Sequence, residues 1–247
     1  GLNLSGASGG SAEESGFSVS VGQSTVLGFS FEGAVGPVNS INVTGSAKRD
    51  FISDVIVWEA NFNTKNMVLS DAYAKLDGDR KLISDYLEDN NIPIKDVIFS
   101  SISMTEQYDY ITDDDGNRFK DFSGYVLVQS LKIESNAVSK IEDLSRDITS
   151  LIDSGIQISS AAPYYFYSKL ADLKIDMIAE ATKDANERAK QISKNSNSKL
   201  GKLMSAQMGV FQIIAKNSTE HYSWGGTHNK TSKHKTATVT MKLSYEI

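Results

Sequence analysis

Two hydrophobic periods run along this chain, one of two residues and one of three to four. Phe17, Val19 and Val21 alternate with Ser18 and Ser20, and Leu27, Phe29 and Phe31 alternate with Gly28, Ser30 and Glu32. Broken at Gly22-Gln23-Ser24, this pattern predicts a β-hairpin. A lone hairpin is marginal in water, so it must pack on something. The 16 residues before it are rich in Gly, Ser and Ala and read as a flexible tail. Gly33 to Pro37 reads as a short linker.

From Ile41 the pattern becomes that of an α+β unit. A strand over Ile41–Ser46 precedes a second in which Ile56, Trp58, Ala60 and Phe62 share one face. Leu69, Ala72, Tyr73, Leu76, Ile83, Tyr86 and Leu87 predict a helix that Gly78 interrupts and Pro93 ends. Val97–Met104 and Gly124–Ile133 predict two long strands around a polar excursion at Asp113-Asp114-Asp115-Gly116-Asn117. Val138, Ile141, Leu144, Ile148 and Leu151 predict a second helix, stopped by Gly155. Strands are expected at Ile156–Ser159 and near Tyr164–Tyr167. Leu170, Leu173, Met177, Ile178, Ala181, Ala185, Ala189 and Ile192 form the apolar stripe of a third helix. Strands at Ala206–Ala215 and Ala237–Ile247 close the chain, the latter with one wet and one buried face.

The expected order is β-β-α-β-β-α-β-α-β-β, preceded by the hairpin. Segregated hairpins and helices favour an α+β fold with antiparallel-rich sheets and three helices over a doubly wound parallel sheet. The expected division is an N-terminal arm over 1–37 and an α+β domain over 38–247.

Composition narrows the function classes. Of 247 residues, 40% are apolar and 23% charged, which fits a folded globular protein. A net charge of -6 argues against a nucleic-acid partner. There is no cysteine, so disulfides and thiolate sites are excluded. No stretch approaches the roughly 20 apolar residues of a membrane span. The start at Gly1 without Met is expected from precursor processing or a tag.

Candidate chemistry is sparse, and neither an enzyme nor a cofactor is expected. The Asp113–Asp115 run offers the clustered oxygens that Ca²⁺ takes, but it departs from the EF-hand template, and Asp, Gly and Asn are what a hairpin turn selects. The turn is the expected role. His221, His228 and His234 fall in one loop with spacings of seven and six, unlike the closer ligand pairs of zinc sites. No metal is expected there; the loop instead presents Tyr222 and Trp224 for a protein contact. No nucleophile elbow, P-loop or dinucleotide fingerprint occurs. Tyr164, Tyr165, Phe166 and Tyr167 put two aromatics on each face of a strand, one pair for the core and one for a second cover, either core or interface.

Several stretches together resemble the SIMPL-domain family, bacterial periplasmic and envelope proteins that include an immunogenic periplasmic protein. They are residues 41–58, 91–104, Gln107 to Tyr110, 124–133 and, above all, 181–213 with its A-x-x-D-A-x-x-R-A…L-G-x-L pattern. Packing and an Asp184/Arg188 ion pair account for that pattern as structure. The chain departs from the family where many members carry a signal or anchor directly before the strand at residue 41; here a Gly/Ser tail and a hairpin stand there.

The resemblance implies an exported protein, periplasmic or at the cell surface, whose protomers assemble into rings or channel-like oligomers. The expected partner is a second copy of the chain, with envelope or cell-surface association. The expected function is a non-catalytic, self-assembling envelope or extracellular structural protein, a ring, channel or filament built through sheet edges and the N-terminal arm. Its interface candidates are Phe17, Val19, Val21, Leu27, Phe29, Phe31, Tyr164, Tyr165, Phe166, Tyr167, Tyr222 and Trp224. The alternative is a periplasmic module that binds a small ligand or an unfolded client in stress protection.

Overall fold

The computed structural model describes residues 39–112, 116–219 and 221–247. The hairpin residues Phe17, Val19, Val21, Leu27, Phe29 and Phe31 and the Asp113–Asp115 run lie outside them. The described chain is α+β: eleven strands and three α-helices, with two short 3₁₀ segments.

One sheet contains β1 (Ser40–Ile52), β8 (Leu203–Met208), β9 (Gln212–Ala215), β10 (Thr227–His228) and β11 (His234–Glu246). The central strand β11 pairs with β1 along its whole length on one side and with β9 and then β8 on the other. Helix α3 (Leu170–Asn195) covers one face of this sheet. The strict alternation of β11 aims Ala237, Val239, Met241, Leu243 and Tyr245 at the helix. Its other face is open to solvent at Thr240 and Lys242.

The second sheet runs β3 (Val97–Phe99), β5 (Arg118–Ser135), β2 (Val55–Asn66), β6 (Gln157–Ser160), with β4 (Ser103–Thr112) on β5 and β7 (Tyr164–Phe166) on β2. Helices α1 (Leu69–Asp89) and α2 (Val138–Asp147) cover one face. Ile56, Trp58, Ala60 and Phe62 of β2 lie beside Leu127, Leu131 and Ile133 of β5, all buried. The chain therefore builds two cores, each one sheet against its helices.

Four expectations are corrected in detail. The strand expected at Val97–Met104 is two strands, because Ser100 is drawn aside: its backbone N–H donates to Ser130 O (2.9 Å) and its carbonyl accepts Gln129 Nε2 (2.7 Å). The strand expected at Ala206–Ala215 breaks at Gly209, where a side chain would meet Thr240 Oγ1 at 2.4 Å. Helix α1 runs straight through Gly78, which faces open space. In α1, Tyr73 is exposed and Asp79 is buried in its place, ion-paired with Lys75.

Candidate functional site

The strongest sequence pattern maps onto the crossing of α3 over β1. The buried residues of α3 are Leu173, Met177, Ala181, Ala185, Ala189 and Ser193, each four after the last. Small side chains on that ridge let the helix approach the sheet closely. The approach is tightest at Gly45. A Cβ there would lie 2.3 Å from both Ala181 O and Ala185 N, and 2.7 Å from Ala185 Cβ. Only a residue without a side chain fits, and the sequence signal for it is a glycine inside a strand.

Asp184 then clamps the two elements. Its Oδ2 accepts the backbone N–H of Ser46 at 2.8 Å, while Arg188 Nε donates to the same carboxylate at 3.0 Å. The Ser46 amide and Arg188 together hold the Asp184 carboxyl below the usual carboxylate range. Arg49 adds ion pairs to Asp176 and Glu180 of the same helix.

Past this clamp the sheet is open. No described strand pairs with the outer edge of β1. Residue alternation puts the N–H and C=O of Asn42 and Thr44 on the same edge as those of Ser46. Beside them lies a groove of about 760 Å³, lined by Asn42, Val43 and Thr44 on the strand and by Glu187, Arg188, Gln191 and Ile192 on the helix. Ile192, expected in the buried stripe, is 49% exposed and forms part of this wall. An edge strand beside a helix flank is the geometry in which an extended peptide adds a strand.

The aromatic run alternates only over β7, so the expected split of two and two is corrected: Tyr167 lies past the strand end and joins Tyr164 and Phe166 rather than Tyr165. Tyr165 lies opposite Ile56 and points inward, where its hydroxyl donates to Glu142 Oε1 at 2.9 Å. Tyr164 and Phe166 lie opposite Val57 and Val55 on the outer face. There, with Tyr167, Glu59, Lys132 and Glu134, they line a cavity of about 600 Å³. Tyr167 also packs on Phe51, ring centroids 5.0 Å apart.

Tyr165 is the seam between the two sheets. Its N–H donates to Lys230 O at 2.7 Å, and the buried Lys235 ammonium donates to its carbonyl. Glu142 Oε2 also accepts Lys233 Nζ at 2.9 Å. Burial and the neighbouring Glu142 push the Tyr165 phenol up to about 12. Burial pulls the Lys235 ammonium down to about 8. A lysine poised near neutrality resembles an amine nucleophile, but this one has only a backbone carbonyl before it and opens into neither groove.

The histidine loop brings no ligand set together: among the described residues no three His, Asp or Glu side chains are grouped to hold a metal. Tyr222 and Trp224 do sit together, over a cavity of about 550 Å³ with Met208, Val210 and Val239. Trp224 is fully exposed, and Leu203, Met204 and Met208 on β8 are about half exposed. The outer edge of β8, like that of β1, has no partner among the described residues. Sequence reading missed both edges, because pairing partners are not written in alternation. Among the described residues no helix is long and apolar enough to cross a membrane.

No curated protein matches the chain. The family model described as SIMPL, a protein of unknown function (DUF541), matches residues 41–244. That span takes in both sheets, all three helices and the Gly45–Asp184 crossing, and the chain belongs to the SIMPL family.

Proposed function

We infer that this is an exported, non-catalytic protein of the cell envelope or surface that assembles with copies of itself. The observation that carries the reading is the edge strand β1, open before Ser46 along a groove that α3 walls. An open edge is a template for a further strand. The occupant is the apolar alternation at residues 17–31 of a neighbouring copy. In sequence this segment precedes β1, the strand whose edge it would pair with. The linker over 33–37 joins it to β1 and gives it reach to the next protomer. Main-chain hydrogen bonds to Asn42 and Thr44 provide affinity, and the Asp184 clamp on Ser46 sets where the added strand stops.

The reading is tested by light scattering on the full chain and on a chain that starts at Val38. The full chain is expected as a defined oligomer and the shortened one as a smaller folded species. Equal sizes would refute the role of the segment.

A second reading rests on the cavity beside Tyr164, Phe166 and Tyr167. Its aromatic wall with charged residues at Glu59, Lys132 and Glu134 suits a small amphipathic ligand. Such a ligand would quench tyrosine fluorescence in the wild type and not in Tyr164→Ala.

A further inference from the structure

The hairpin of β4 and β5 extends well beyond the sheet that anchors it. Strand β2 pairs with β5 only from Tyr125 onward, whereas β4 follows β5 out to Arg118. Residues 107–112 and 118–124 therefore form a ribbon of two strands, roughly 20 Å long at the usual rise of a strand. No helix covers it. Tyr108, Tyr110, Ile111 and Phe119 are each at least 41% exposed. An isolated two-stranded ribbon with bare aromatics on it is marginal in water.

The register divides the ribbon into two unlike faces, because residues directly opposite share a face. Tyr108 is opposite Phe122, Tyr110 opposite Lys120 and Thr112 opposite Arg118. On this face Tyr108 and Phe122 stack edge to face at 5.7 Å, and the Arg118 guanidinium lies 5.2 Å from the Tyr110 ring. Glu106 at its base accepts the Tyr108 hydroxyl at 2.6 Å. The face is aromatic and cationic. On the other face Asp109 is opposite Asp121 and Ile111 opposite Phe119. That face is apolar and acidic.

Like charges directly opposite on a ribbon weaken it. Among the described residues neither Asp109 nor Asp121 has an ion-pair partner, and neither Arg118 nor Lys120 has one. The two faces of one arm thus offer each other what each lacks, but they point in opposite directions and cannot meet within one chain.

We propose that the arm is an interface between copies, the Arg118/Lys120/Tyr110 face of one protomer seated on the Asp109/Asp121/Phe119 face of the next. The proposal rests on the self-assembly reading and adds where and how copies meet. Contact between two different faces is head-to-tail, so it builds a ring if the rotation closes and a filament if it does not. A ribbon of this length and about 10 Å width covers roughly 200 Å² per face, well short of the ~800 Å² per partner of a standard interface. The arm is a second contact that fixes orientation, beside the added strand at β1.

The test uses two reversal variants of the full chain, Asp109→Lys with Asp121→Lys, and Arg118→Glu with Lys120→Glu. Each variant carries the same sign on both faces of its arm. By light scattering and sedimentation, each alone is expected to need at least about tenfold more protein to assemble than wild type, as like charges are set against each other. Mixed one to one, they are expected to assemble again, alternating along the assembly. If either variant loses the native circular dichroism, Asp109→Asn with Asp121→Asn carries the test, with weakened assembly expected. Wild-type assembly in the single variants or in the neutral pair, or no recovery from mixing two folded variants, would overturn the proposal alone. A wild type that stays monomeric would overturn the self-assembly reading and this proposal with it.

Discussion

Replacing Gly45 by Ala is a severe perturbation for one methyl group. The new Cβ would stand 2.3 Å from Ala181 O and Ala185 N, both backbone atoms of α3 that no rotamer change can move. Ordinary contacts lie near 3.5 Å, so the helix must retreat by about 1 Å. Overpacking of this kind costs about 1–3 kcal/mol. The retreat also stretches the 2.8 Å bond from the Ser46 amide to Asp184 out of range, for about 1 kcal/mol more at an exposed site. A total of about 3 kcal/mol lowers Tm by about 6–12 °C in a domain of this size. Thermal unfolding followed by far-UV circular dichroism reads it. Adding Ala185→Gly removes only the 2.7 Å contact with Cβ and leaves both backbone contacts, so little stability should return. A Tm drop under about 2 °C, or full recovery in the double variant, would refute close backbone approach as the reason for this glycine.

The buried seam predicts an unusual alkaline profile. The Lys235 amine sits near 8 when folded against its ordinary 10.5, so between those values the unfolded chain holds the proton that the folded chain has lost, and stability rises with pH. The Tyr165 phenol sits near 12 against 10, so above pH 10 the folded chain keeps a proton that the unfolded one releases, and stability falls. Urea unfolding is expected to show a maximum near pH 10, and Lys235→Met should abolish the rise below it; an unchanged rise would locate the titration elsewhere. Trp224 is fully exposed, so Trp224→Ser should shift Tm by no more than about 1 °C; a larger loss would mean that the ring is packed.

The elements with a plain period were legible. The alternation of β11 and the four-residue spacing of Leu173, Met177, Ala181, Ala185 and Ala189 gave both sides of one core. The next buried residue is Ser193 rather than Ile192, because contact follows the i+4 ridge of the helix across the sheet and not its hydrophobicity. Lys235 falls on the inward side of β11 when its alternation is extended two residues back, but a charged residue there reads as the end of the strand. Breaks at Ser100 and Gly209 depend on hydrogen bonds to residues 30 or so positions away, which local pattern does not carry. The open edges of β1 and β8 and the two faces of the β4–β5 arm follow from pairing register, so only the fold reveals them.

The central claim is that residues 1–37 join one protomer to the next along β1. It is tested most directly by mixing two chains: one that starts at Val38, and one that carries the intact N-terminal segment but has Thr44→Pro on the β1 edge. Proline removes an outward amide and blocks strand addition. By light scattering, each chain alone is predicted to stay small, whereas the mixture forms a complex, the segment of the second chain filling the open edge of the first. Assembly of the Thr44→Pro chain by itself to full size, or a mixture that remains two separate species while both are folded, would contradict the account.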